Sequence, residues 1–243
     1  MKLPLAAIAF GFALIASAFA APSLHLIGDS TMADYAADRP VRGWGMAVGP
    51  LMVDPAMVKN HAASGRSSKS FIDEGRWTKV LAALQAGDFV IIQFAHNDEK
   101  TQDPKRYTDP ATSFRDNLRR FIRETRERGG HPLLATPVSR RKFNAEGRLT
   151  PTHGAYPDAI RTVAREENVP LLDLERATAT WLQETGDIPS RKFFVWLKPG
   201  EHPKHPEGSR DDTHFVDAGA QAVAALAATQ IREQKLPLAQ WLK

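Results

Sequence analysis

Cysteine is missing altogether from the 243 residues. Its absence excludes disulfides, thiolate metal sites and a lipidated cysteine after an export signal. Beyond the first twenty residues, no stretch approaches the roughly 20 apolar residues that a membrane-spanning helix requires, so no span is expected. There is no run of Lys and Arg with interleaved aromatics, and nucleic acid is not an expected partner. The basic segment Arg119 to Arg128 carries acidic residues at helical spacing and reads as a solvated helix face. A Gly-x-Ser-x-Gly elbow is absent, which disfavours the α/β-hydrolase fold. Neither a Walker A loop nor His-Glu-x-x-His occurs, and there is no internal repeat.

The first twenty residues have the layout of a cleavable signal peptide. Lys2 supplies the positive start, Leu3 to Ile15 is largely apolar, and Ala18-Phe19-Ala20 offers small residues for cleavage. Residues 1–20 are therefore expected to direct export to the periplasm or beyond, leaving residues 21–243 as a single domain. About 220 residues can bury a sizeable core without covalent staples. The formal net charge of +4 falls by one when Lys2 is removed. The sequence pI of about 9.4 makes acidic partners plausible without selecting one.

Short apolar runs alternate with longer amphipathic segments, the pattern of parallel strands joined by crossover helices. Strands are predicted at Leu24 to Ile27, Met57 to Ala62, Phe89 to Ala95, Pro132 to Thr136 and Pro170 to Leu174. Helices are predicted at Ser113 to Glu127, His153 to Glu167, Glu175 to Glu184 and Ala218 to Glu233. Phe89 to Ala95 is nearly all apolar, as expected of a strand covered on both faces. The fold class is α/β: a three-layer α/β/α sandwich with a five-stranded parallel sheet, flavodoxin-like, in the order 2-1-3-4-5. Lys192 to Asp211, rich in Pro, Gly and Lys, is predicted to be a long irregular loop.

In such a sheet the ends of the first three strands share one edge, where open α/β sheets place their ligands. Those ends read Gly28-Asp29-Ser30-Thr31, Ala63-Ser64-Gly65-Arg66-Ser67-Ser68 and Ala95-His96-Asn97-Asp98-Glu99. Acyl transfer needs a nucleophile, a base held in one tautomer, and donors aimed at the developing oxyanion. Ser30 is the candidate nucleophile and His214 the candidate base. Asp211, three residues earlier, can reach the Nδ1–H of His214 in a tight turn. The backbone N–H groups of Ser30 and Gly65 and the side-chain amide of Asn97 are candidate oxyanion donors. Asp29, Asp98 and His96 read as loop anchors. His202 and His205 have metal-like spacing but no matched carboxylate set, so no metal site is assigned.

These blocks carry a family resemblance. Gly28-Asp29-Ser30, Gly65, His96-Asn97-Asp98 and Asp211-x-x-His214 look like the four blocks of the SGNH (GDSL-type) hydrolases. Longer strings resemble the rhamnogalacturonan acetylesterases among them: Gly28 to Met32, Gly43-Trp44-Gly45, Ala63 to Phe71, Glu74 to Trp77, and Pro206-Glu207-Gly208 ahead of Asp211 to Phe215. The resemblance implies a Ser30–His214–Asp211 triad, an oxyanion hole of Ser30, Gly65 and Asn97, and no cofactor. It implies an esterase that removes acetyl groups from plant cell-wall polysaccharide, foremost rhamnogalacturonan in pectin. Acetylated xylan, another glycan, a small acyl ester or a lipid are the rival substrates, and a catalytically silent carbohydrate-binding protein is the rival of another class. Trp44, Phe71, Tyr107 and Trp196 are candidates for stacking on sugar rings, with hydrophobic packing as the competing reading. Arg66, Arg76, Lys69 and Lys198 are candidates for contact with a uronate carboxylate. Ala95 and Asp212 depart from the family pattern, where glycine and asparagine are frequent. Asp212 places a second carboxylate beside the base, with an expected effect on the pH profile. The oligomeric state is not readable.

Overall fold

The structure, a computed structural model, describes residues 21–243; the expected signal peptide lies outside the described residues. Five parallel strands form the central sheet: β1 (Leu24–Gly28), β2 (Val58–Asn60), β3 (Phe89–Gln93), β4 (His131–Ala135) and β5 (Leu171–Leu172). Their order is β2-β1-β3-β4-β5, as the connectivity predicts. The chain winds outward in one direction from β1 and returns to the other side through β3, so the ends of β1 and β3 flank the switch point. Register pairs Gly28 of β1 with Gln93 of β3, which sets Ser30 and the His96-Asn97 turn side by side.

Helices cover both faces of the sheet. On one face lie α1 (Ser68–Asp73), α2 (Arg76–Ala83), α3 (Ser113–Glu127) and α4 (Tyr156–Glu166). On the other lie α5 (Leu174–Thr185) and α7 (Asp217–Glu233), with the single turn α6 (Asp187–Ser190) after α5. Helix α3 buries Phe114, Leu118, Phe121, Ile122 and Thr125, an i, i+4, i+7, i+8, i+11 stripe that faces the sheet while its arginines face water. Helix α7 packs through small residues. A Cβ on Gly219 would lie 2.1 Å from the Phe193 carbonyl oxygen, so only glycine permits that approach. No helix among the described residues is long and apolar enough to cross a membrane.

The predicted boundaries of α3 coincide with the observed ones, β1 runs one residue further than predicted, β4 is shifted by one, and β2, β3 and β5 are shorter than predicted. β2 keeps only Val58–Asn60 of the expected Met57 to Ala62, because Pro55 to Met57 closes a 3-10 turn instead. Two short helices, α1 and α2, were not anticipated; their apolar faces are too short to show a clear period. The larger correction concerns Lys192 to Asp211. This stretch is not an irregular loop throughout: Phe194–Leu197 forms β6 and pairs antiparallel with β7 (Ser209–Phe215). The apolar run Phe194-Val195-Trp196-Leu197 supplies the hairpin with a strand whose first two residues are buried. A backbone bond from Arg42 N–H to the Phe215 carbonyl (2.8 Å) seats the hairpin against the domain, and one from Val216 N–H to the Phe193 carbonyl (3.1 Å) closes its base.

Ala95, just past β3, holds φ at 154°, a region that glycine enters freely and alanine does not. The buried methyl of Ala95 therefore sits on a strained backbone. Ala95→Gly should raise stability by about 0.5–2 kcal/mol through relief of that strain, read as an upward shift of the denaturant midpoint at unchanged slope. A lower midpoint would show that the methyl's packing outweighs the strain.

Candidate active site

Strand β1 ends in a turn that its own side chains build. The carboxylate of Asp29 accepts from Thr31 N–H (2.9 Å) and Thr31 Oγ1 (2.8 Å), and its second oxygen lies 3.2 Å from His96 Nδ1. Burial works to raise the pKa of Asp29, yet His96 and the two Thr31 donors hold it below the usual carboxylate value. His96 is fully enclosed; burial, aided by His153 and Arg140 and opposed by Asp29, pushes its pKa down to about 4. The neutral ring donates from Nδ1 to Asp29, while Nε2 has no partner among the described residues. Gln93 extends this buried chain, donating to Thr31 Oγ1 (2.8 Å) and accepting from Trp44 Nε1 (2.8 Å).

Ser30 emerges from this turn only 6% exposed. Its Oγ lies 2.9 Å from His214 Nε2, and His214 Nδ1 lies 2.7 Å from Asp211 Oδ2. The other oxygen of Asp211 accepts from the backbone N–H groups of Thr213 (2.8 Å) and His214 (3.0 Å). Burial acts to raise the pKa of Asp211, but the His214 hydrogen bond and charge and these two N–H donors keep it depressed. Its carboxylate therefore holds Nδ1–H and leaves Nε2 as the acceptor facing the serine hydroxyl. His214 sits near the end of β7, on a hairpin strand rather than in the tight turn expected between Asp211 and His214.

The turns that carry Gly65 and Asn97 stand at the same sheet edge as Ser30. Neither the Ser30 nor the Gly65 N–H donates to an acceptor among the described residues. Gly65 holds φ at 78°, and the space where a Cβ would stand is open, so its backbone is approachable as only glycine allows. Asn97 gives one amide hydrogen to the Arg66 carbonyl (3.1 Å), keeping the second. Its Oδ1 accepts from Lys100 Nζ (2.9 Å) and Arg106 Nη1 (3.4 Å). Asp98 locks the neighbouring loops, accepting from Ser68 N–H (3.0 Å), Ser68 Oγ (2.5 Å) and Thr108 Oγ1 (2.9 Å). Burial pushes its pKa up to about 7 against these donors.

The sequence model described as GDSL-like Lipase/Acylhydrolase family matches residues 26–222. The chain belongs to that family. Rhamnogalacturonan acetylesterase RhgT of Bacillus subtilis is 41% identical over 216 residues, 88% of this chain and 91% of that protein. The probable rhamnogalacturonan acetylesterase YesY of the same organism is 36% identical over 215 residues, 88% of this chain and 94% of that protein. Among solved structures, Bacillus subtilis YxiM matches with a TM-score of 0.74 at 25% identity, over 89% of this chain and 57% of that one. As a member of the GDSL family, the protein is an ester hydrolase.

The structure of this GDSL hydrolase brings Ser30, Asp211 and His214 together and sets Gly65 and Asn97 at the same sheet edge. Two of the proposed sugar-stacking residues lie elsewhere. Trp44 is enclosed in the core with its N–H on Gln93, and Phe71 is buried edge-on against Phe94, so neither ring can meet a substrate. Arg66 is exposed but paired with Glu74 at 3.0 Å. Trp196 is half-buried and lies against the guanidiniums of Arg141 and Arg191, with centroid distances of 4.6 and 4.3 Å. It borders a groove of about 730 Å³ also lined by Arg191, Lys198 and Arg210 together with Glu201 and Glu207. His202 and His205 face each other across the hairpin tip, and among the described residues no group of three or more His, Cys, Asp or Glu is placed to hold a metal.

Asp212 does not act as a free carboxylate beside the base. Its Oδ1 accepts from Arg141 Nε (2.7 Å) and Trp196 Nε1 (2.8 Å), and Arg141, itself buried, is also bonded to Asp187. These bonds give Asp212 a structural role, and in the folded protein the guanidinium at contact offsets the charge that His214 would otherwise feel. Nothing in the sequence signals this clamp: Arg141 lies 71 residues from Asp212. Asp212→Asn should lower stability by about 1–3 kcal/mol, since it weakens charge-assisted hydrogen bonds to a buried cation, and should move the acidic limb of the pH–rate profile to lower pH, because the Arg141 charge then stands less compensated near the base. Chemical denaturation paired with a pH profile tests both; an unmoved limb would mean that the Asp212–Arg141 pair is not felt at the base.

Proposed function

We propose that this protein is an exported acetylesterase that deacetylates plant cell-wall polysaccharide, with rhamnogalacturonan as its substrate, through an acetyl-enzyme on Ser30. The observation that carries the mechanism is the unbroken line from Asp211 through His214 to Ser30, with hydrogen-bond distances of 2.7 and 2.9 Å. Ser30 Oγ adds to the acetyl carbonyl while His214 Nε2 takes its proton. The resulting oxyanion is held by the N–H groups of Ser30 and Gly65 and the free amide hydrogen of Asn97. Collapse of the tetrahedral intermediate breaks the ester bond, and His214 returns the proton to the departing sugar hydroxyl. Water then attacks the acetyl-enzyme with His214 again as base, releasing acetate and restoring Ser30. Asp211 stays ionised throughout and stabilises the imidazolium, in keeping with its depressed pKa.

The choice of substrate rests on likeness to the two Bacillus acetylesterases, supported by Arg191, Lys198 and Arg210, which outnumber the two carboxylates in the groove along the hairpin that bears the base. Export rests on the composition of residues 1–20. A silent binding protein is the weaker reading, because each position of the triad holds a chemically competent residue in contact with the next.

Ser30→Ala should reduce turnover by about 10³- to 10⁶-fold with folding intact, and Asp211→Asn by up to about 10⁴-fold; acetate release with a thermal melt on each variant checks both. Near-normal turnover in Ser30→Ala would end the acetyl-enzyme mechanism. Acetylated rhamnogalacturonan should be deacetylated faster than acetylated xylan, with the preference shrinking as salt is added if basic side chains create it. A preference for xylan at every ionic strength would overturn the pectin assignment and leave the esterase standing.

A further inference from the structure

We propose that Lys100, seconded by Arg106, is a positioning residue for the oxyanion hole: it fixes which end of the Asn97 amide faces the reacting carbonyl and strengthens the N–H presented there. The proposal rests on the assignment of Asn97 as an oxyanion donor.

A primary amide can be turned end for end, and only its donor end stabilises an oxyanion. Three contacts decide the orientation here. Lys100 Nζ and Arg106 Nη1 approach Asn97 Oδ1 at 2.9 and 3.4 Å, and both can only donate. The Arg66 carbonyl, 3.1 Å from Asn97 Nδ2, can only accept. Turned over, the amide would set its NH₂ against two cations and its oxygen against a carbonyl, and would offer an oxygen to the developing negative charge. A cation on the amide oxygen also draws electron density through the amide, so the N–H at the far end becomes a stronger donor.

The charges around Lys100 point the same way. Arg106 is paired with Asp103 at 2.6 Å, while Glu99 is engaged by both Arg140 and His153. Lys100 is half-buried, and its one side-chain hydrogen bond among the described residues goes to the neutral Asn97 amide. Burial lowers its pKa, Arg106 and Arg140 lower it further, and Glu99 and Asp103 oppose them. A lysine extended into solvent would avoid that penalty. Held against Asn97, its charge is offset when the carbonyl oxygen of the substrate becomes negative.

A double-mutant cycle with a small neutral chromogenic acetate ester tests the idea, since such a substrate has no carboxylate for lysine to bind. Lys100→Met should lower kcat about tenfold, part of the 10²- to 10³-fold that one oxyanion donor is worth, with KM unchanged. Lys100→Arg should retain most of the activity, and Lys100→Gln serves should the Met variant fail to fold. In an Asn97→Ala background, Lys100→Met should slow the enzyme less than about twofold. The charge is present below the pKa of Lys100 and lost as pH rises through it, so kcat should fall on the alkaline side. That limb should disappear in Lys100→Met and move to higher pH in Lys100→Arg. If Asn97→Ala slows the enzyme but Lys100→Met leaves kcat unchanged, or costs as much with Asn97 absent as with it present, the positioning role is refuted. If Asn97→Ala itself leaves kcat unchanged, the oxyanion assignment falls and the proposal falls with it.

Discussion

A single buried hydrogen-bond chain underlies the site. It runs from Trp44 through Gln93 and Thr31 to Asp29 and ends on His96, crossing from the layer beneath the sheet to the loop above it. Its members are all buried. Away from water, an unmade hydrogen bond costs the desolvation of the group left behind, about 1–3 kcal/mol, so the chain tolerates little movement of β1 against β3. The nucleophile turn and the Asn97 turn are tied to its two strands. Their separation is consequently set by the least adjustable part of the molecule.

Asp98 does for the second loop what Asp29 does for the first. By collecting the donors of Ser68 and Thr108 it pins the start of α1 to the end of β3, and with α1 the preceding Gly65 turn. Tyr156 adds a lock from α4, donating to the Asp98 carbonyl at 3.0 Å. Each proposed oxyanion donor thus rests on a rigid support assembled before substrate arrives, which is the condition for backbone and amide dipoles to act without reorganisation. The base is supported separately. His214 and Asp211 ride on the β6–β7 hairpin outside the central sheet, and that hairpin is held by Arg141 through Asp212 and by the Trp196 indole. Adjacent aspartates therefore divide the labour, one orienting the imidazole and the other anchoring the strand.

Much of this was legible in the chain itself. Hydrophobic period placed β1, β3 and α3, because a strand covered on both faces and a helix covered on one leave unmistakable patterns. The resemblance to GDSL hydrolases placed Ser30, Gly65, Asn97, Asp211 and His214, and the geometry brings these residues to one edge. Composition failed at Lys192 to Asp211, where prolines, glycines and lysines hid a four-residue strand. It also failed for Trp44 and Phe71, since an aromatic ring reads alike in sequence whether it meets a sugar or fills a core.

What the sequence determined by itself was therefore local and periodic: which segments are strands or helices, and which residue types stand at strand ends with chemistry to offer. The tertiary structure alone decided the partnerships. Ser30 and His214 stand 184 residues apart along the chain. Arg141 claims Asp212 across 71, and Lys100 turns back on Asn97 across only three. Each pairing depends on distance and on which way a side chain points once the sheet has closed, and neither quantity exists until the strands have found their order.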